Sequence, residues 1–199
     1  MTGAFLLLSC DFMYDDPEEA ETIATDGSFR YIDATSYTDW VYVDLASHTA
    51  TKVAYDNEDD IPEEWHFALH RYNCKTHGGA VLETAYTSLA AFRKDLQGGA
   101  FSPADGTYTA DTADQIAVNM EQMMQGIVGY AASDVNEVLS RWMTLDTTVM
   151  PPAYETSGKV YVIRMADGTY AAVLFTDYMN AAGATGHISF DYLYPLTEE

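Results

Sequence analysis

The sequence predicts an all-β, mostly antiparallel domain with one or two short helices. Three observations carry that prediction. β-Branched and aromatic residues recur in short runs with a period of two. Turn formers such as His77-Gly78-Gly79 and Asp167-Gly168 stand between the runs. Only one stretch, residues 134–142, has a strong helical spacing. With 199 residues, 48% of them hydrophobic and 13% aromatic, the chain has material for one packed domain.

The first ten residues end in Leu7-Leu8-Ser9-Cys10, which matches a bacterial lipobox and makes Cys10 the expected lipidation site. The residues before it lack the positive charge and the apolar length, about 7–15 residues, of a full secretory signal. Residues 1–10 therefore read as a signal remnant, weighed against a trimmed apolar N-terminus. A lipid on Cys10 would anchor the protein without a spanning helix, and no run of eighteen apolar residues exists. Residues 11–28 read as an acidic, flexible tether and residues 29–199 as the β domain.

Within that domain, strands are predicted at 29–32 and 39–45, with 49–53 returning across Ala46-Ser47-His48. Residues 56–64, DNEDDIPEE, read as a solvated loop, because the glycine at the sixth position of a calcium loop is missing. Residues 65–76 alternate as one central strand, with Trp65, Phe67 and Leu69 on one face and His66, Ala68, His70, Tyr72 and Cys74 on the other. In such a strand His66 and His70 stand ~13 Å apart, too far to share a metal, and Cys74 reads as a buried thiol. A strand at 80–86 precedes a faint helical spacing at 88–96, a loop at 101–106 and strands at 107–110 and 115–120. In the 134–142 helix, Val135, Val138, Leu139 and Trp142 share a face, with Ser133 or Asp134 as N-cap and Glu137 completing a box. A meander of strands at 159–165, 169–177 and 187–194 closes the chain.

Asp and Glu number 31 against 9 Lys and Arg, a net charge of −22 that repels phosphate backbones and excludes nucleic acid as a partner. No G-x-S-x-G elbow, H-E-x-x-H helix, P-loop or dinucleotide fingerprint occurs, and Cys74 has no protease signature around it, so no enzyme is expected. The unusual feature is methionine. Five of the nine fall at Met120, Met123, Met124, Met143 and Met150. Core filling is the usual role of such residues; the other role is a pair of thioethers facing each other as metal or haem ligands. Pro151-Pro152 biases Met150 to extended backbone and stiffens its loop, whereas Met143, Met165 and Met179 read as core or loop residues.

Residues 65–79, 133–143, 150–154 (MPPAY) and 159–195 together resemble the HmuY family of Bacteroidetes, haem-binding surface lipoproteins that act as haemophores. The resemblance covers most of the chain from about Trp40 onward. It implies a hand-shaped all-β domain that holds haem (iron protoporphyrin IX) between two projecting loop regions through two axial side chains. It also implies an outer-membrane, surface-exposed lipoprotein, also released from the cell, which takes haem from host haemoproteins and passes it to a TonB-dependent haem receptor. The acidic run after Cys10 resembles that of surface-displayed lipoproteins. Family members use paired histidines or methionines, and no histidine lies between His77 and His187 here, so the resemblance points to methionine. It implies Met150 as the first ligand and, by the spacing of methionine-ligated relatives, Met123 opposite it, with Met124 and Met120 as alternatives. Tyr130 and Tyr154 are placed to flank the porphyrin. A thioether is soft and neutral, so ferrous haem is expected to bind better. The competing function is a β-rich surface binding or adhesion lipoprotein whose methionines are packing.

Overall fold

The computed structural model describes residues 26–150 and 152–196. The lipobox at Cys10, residues 11–25 of the tether, and Pro151 lie outside them. The strands are β1 (Gly27–Asp33), β2 (Asp39–Asp44), β3 (Thr49–Ala54), β4 (Phe67–His70), β5 (Asn73–Thr76), β6 (Ala80–Glu83), β7 (Thr109–Ala110), β8 (Thr112–Asn119), β9 (Gly129–Val135), β10 (Met143–Asp146), β11 (Ala153–Thr156), β12 (Val160–Arg164), β13 (Tyr170–Met179) and β14 (Thr185–Leu193). The helices are α1 (Leu89–Gln97) and α2 (Glu137–Ser140). Every pairing is antiparallel, as the period-two runs predict. Among the described residues, no helix is long and apolar enough to cross a membrane.

Two sheets build the body: six strands in the order β1-β14-β13-β12-β6-β7, and four in the order β3-β2-β4-β5. Their facing sides share one core, in which Val41, Val43, Phe67 and Leu69 meet Tyr161, Ile163, Val173, Phe175 and Phe190. Each such side chain contributes about 1.5–3 kcal/mol through burial. Both outer faces are covered as well. Leu89, Phe92 and Leu96 of α1 lie on Val160, Val162, Ala172 and Leu174. On the other sheet Trp40, Tyr42 and Ala68 are covered by Ile116 of β8 and Val135 of β9. Burial on both faces explains why β12 and β13 read as nearly continuous apolar runs.

Three sequence expectations change. The predicted 134–142 helix shrinks to the single turn of α2. Asp134 and Val135 extend β9, paired with Ala113 and Thr112. The cap is Asn136, whose side chain accepts from Leu139 N–H, not Ser133 or Asp134. The four apolar residues are buried as expected, but a strand end, one helical turn and a trailing tryptophan share that burial. Conversely, the faint 88–96 spacing is the longer helix, capped by Ser88 Oγ on Ala91 N–H. Last, residues 65–76 form the β4–β5 hairpin, turning at Arg71-Tyr72, with Arg71 at φ 55. The turn pairs Leu69 with Cys74, placing the thiol in the same core as Leu69 rather than on the opposite face. Burial pushes the Cys74 thiol pKa well up.

Candidate functional site

Two hairpins stand apart from both sheets as separate two-stranded units, β8–β9 and β10–β11. The first is fixed at its root. Ile116 and Val135 are buried on Trp40, and Asn136, fully enclosed, follows the last residue of β9. Asn136 N–H donates to Cys74 O (2.7 Å), and its Nδ2 donates to Thr109 O and Asp111 Oδ1 (both 2.9 Å). Asp111 also accepts from Thr76 N–H (2.6 Å) and Thr76 Oγ1 (3.0 Å); burial raises its carboxyl pKa despite these donors. Toward the far end, Asn119 faces Gly129, where an added Cβ would lie 2.9 Å from Asn119 Cβ, so only glycine allows this close approach. Beyond that pair, Met123–Gln125 form a 3₁₀ turn closed by Gly126 at φ 78.

The second hairpin is rooted by Met143, buried in the main core, and by Trp142, which stacks on Phe175 at 4.5 Å and donates Nε1–H to Tyr72 O (3.0 Å). Its turn is braced by Asp146 Oδ1, which accepts from Thr148 N–H (2.8 Å) and Thr148 Oγ1 (2.6 Å), and these donors hold the carboxyl below its ordinary range. Met150 stands in this turn, 87% exposed.

Structure thus distributes the sequence-derived site residues between two hairpins. Met120, Met123, Met124 and Tyr130 lie on β8–β9, and Met150 and Tyr154 on β10–β11. Core filling does not describe the ones at the turns. Met123 is 49% exposed and Met124 is 92% exposed, whereas Met143 is 6% exposed and packs as expected. Met120 is half-buried. Met123 and Met124 are neighbours in a 3₁₀ turn, where successive side chains point about 120° apart. Tyr130 is exposed, while Tyr154 is half-buried, its ring 5.1 Å from that of Tyr178.

Ile127, Leu145 and Val149 are also exposed here, and sequence reasoning missed them: Ile127 and Val149 stand in turns, which carry no periodicity, and Leu145 lies in the four-residue strand β10, too short to show one. Together, seven of the ten exposed large apolar side chains among the described residues sit on these two hairpins, so the exposed apolar surface is concentrated there.

Neither hairpin contains His, Cys, Lys or Arg, so methionine supplies its only soft donor atoms. The histidines belong to the body. His48 stacks on Phe29, His77 stacks on Trp65, and His187 Nδ1 contacts Ala184 O. His70 is buried with Nε2 2.8 Å from Tyr37 O. His66 Nδ1 lies 3.2 Å from Asp44 Oδ1 but accepts Leu45 N–H, and burial lowers the imidazole pKa, so the contact is not an ion pair at neutral pH. Among the described residues, no cluster of three His, Cys, Asp or Glu side chains is placed to hold a metal ion. The donor set on the hairpins therefore suits a metal that accepts soft ligands.

Comparison with curated proteins finds no match. Among solved structures, the chain is similar to a candidate HmuY-like haem-binding protein of Bacteroides vulgatus, with 42% identity, 86% of this chain and 92% of that one covered, and a TM-score of 0.76. It is similar to a candidate lipoprotein of Bacteroides fragilis, with 44% identity, 86% and 90% covered, and a TM-score of 0.75. It is also similar to the apo HmuY analog of Tannerella forsythia, with 28% identity, 84% and 96% covered, and a TM-score of 0.68. The profile of the HmuY protein family matches residues 36–192, the span that contains both hairpins and nearly all of the two sheets, and the chain therefore belongs to the HmuY family.

Proposed function

We propose that this protein is a non-catalytic, lipid-anchored surface protein that binds haem between its two hairpins and hands it to an outer-membrane, TonB-dependent receptor. The observation that carries the reading is the placement of thioethers: methionines from the turns of two separate hairpins stand in solvent among exposed apolar residues, where packing has no use for them. Met150 is the axial ligand from β10–β11 and Met123 the one from β8–β9, with Met124 and Met120 as the alternatives at that end. Tyr130 and Tyr154, one on each hairpin, flank the porphyrin. Apolar contact with the porphyrin faces supplies most of the affinity, and the two sulfurs set orientation and spin state. Because thioethers are neutral and soft, the ferrous form binds more tightly than the ferric. The likeness to the candidate HmuY-like haem-binding protein of Bacteroides vulgatus and to the HmuY analog of Tannerella forsythia supports this reading, and the likeness to the candidate lipoprotein of Bacteroides fragilis supports a lipid anchor such as one on Cys10.

The test is a titration of the purified chain with haem under dithionite and without it. Sharp low-spin bands are expected in the reduced sample, weakened by Met150→Ala and by Met123→Ala. Bands unaffected by either substitution would sink the ligand assignment, and no bands at all would favour the adhesion reading.

A further inference from the structure

A dianionic porphyrin meets an electrostatic problem in this chain. The net charge is −22, and the hairpins at 112–135 and 143–156 contain Asp114, Glu121, Asp134, Asp146 and Glu155 but no Lys or Arg. Any cation that pairs with the porphyrin's carboxylates therefore comes from the body. Most body cations are already engaged. Arg30 pairs with Asp191, Lys52 with Asp33, Arg93 with Asp26, and Arg141 with Glu83. Lys75 lies over Trp40 and donates to Tyr42 Oη, and Arg164 lies over Tyr108.

Arg71 is different. Its guanidinium sits 4.7 Å from the centroid of the Tyr37 ring and 5.9 Å from that of Tyr178, and Nη1 donates to Thr35 O at 2.9 Å in a solvent-exposed contact. Gly186 leaves room for it, since a Cβ there would come within 2.8 Å of Nη1. The residue holds a left-handed φ of 55, which a non-glycine side chain adopts at a cost. Arg71 Nε and the Tyr178 hydroxyl are both enclosed without a hydrogen-bond partner among the described residues, and no carboxylate pairs with Arg71 there. Tyr178 in turn touches Tyr154 of β11, so this cation stands beside the hairpin that presents Met150.

We infer that Arg71, seated between Tyr37 and Tyr178 beside the β10–β11 hairpin, receives a carboxylate of the ligand, namely a propionate of the porphyrin. The inference rests on the haem reading above. A guanidinium is suited to the task because its planar fork matches a carboxylate and it stays charged in a partly enclosed site. The contact fixes which edge of the porphyrin turns toward the body, while the thioethers hold the iron.

The test compares haem with its dimethyl ester, which keeps the iron and the ring but has no carboxylates, on the full chain under dithionite. On the wild-type chain the ester is expected to bind about tenfold or more weakly than haem, the size of one charge-assisted hydrogen bond. Arg71→Gln should weaken haem by a similar factor, leave the ester unchanged and flatten the salt dependence, whereas Arg71→Lys should recover part of the loss. Equal affinity of the wild-type chain for acid and ester overturns the assignment, whether or not the variants fold. Methionine-type bands with such indifference would overturn it alone; a wild-type chain that gives no haem bands overturns it together with the haem reading.

Discussion

Asn136 joins the β8–β9 hairpin to the body, and its removal is expected to be among the most destabilising polar substitutions in the protein. Its side chain caps α2 and donates to Thr109 O and Asp111 Oδ1, with no exposure to solvent. Asn136→Ala leaves the capped Leu139 N–H and the part-buried Thr109 O without their partner, at about 1–3 kcal/mol for each group. Asp111 keeps both Thr76 donors, so its share is small. A loss of about 2–6 kcal/mol follows, a large part of the roughly 5–15 kcal/mol that a domain possesses.

Asn136→Asp separates charge from shape. The cap to Leu139 survives, but a second carboxylate then faces Asp111, whose pKa burial already raises. Two adjacent carboxylates hold a proton more tightly when folded than when unfolded, so the penalty is largest where both are ionised and shrinks as pH falls. Urea unfolding followed by tryptophan fluorescence at pH 7.5 and 5.5, each variant against wild type at the same pH, measures both effects. A cost below ~1 kcal/mol for Asn136→Ala, or an equal cost for Asn136→Asp at the two pH values, would refute this account of the hairpin root.

The remaining expectations concern methionine and histidine. Met150→Ala should change stability by no more than about 0.5 kcal/mol, because the side chain is exposed, whereas Met143→Ala should cost about 2–5 kcal/mol; urea midpoints distinguish them. His70 is buried, and burial depresses its imidazole pKa below 6.5. The neutral ring's contribution is therefore fully present above pH 6.5 and is lost as pH falls below it, levelling off past the folded pKa. Unfolding free energies between pH 8 and 5 should show that fall, and His70→Gln should flatten it; an unchanged slope would mean that other groups cause it.

The sequence by itself determined the all-β class, the final meander and the cluster of methionines, because period-two alternation and Asp-Gly turns are local signals that tertiary contacts reinforce. The meander runs as β12, β13 and β14 with the Asp167-Gly168 turn in place. Where a local signal was ambiguous, only the tertiary structure decided. Val135, Val138, Leu139 and Trp142 have helical spacing and are all buried, yet pairing with Thr112 holds Val135 in a strand and leaves Asn136 to start a single turn. The alternation of residues 65–76 continues straight through a reversal at Arg71-Tyr72, since a chain turning back with one face still inward keeps its period while moving Cys74 to the side of Leu69. Sequence could not tell a buried methionine from an exposed one, as both are the same apolar residue. What separates Met143 in the core from Met150 and Met124 in solvent is that β10 begins in the main core, whereas the hairpin turns belong to neither of the two sheets and stay exposed. Likewise nothing local marks Arg71 as a cation without a carboxylate; that follows from the fold bringing Thr35, Tyr37, Tyr178 and Gly186 around one side chain.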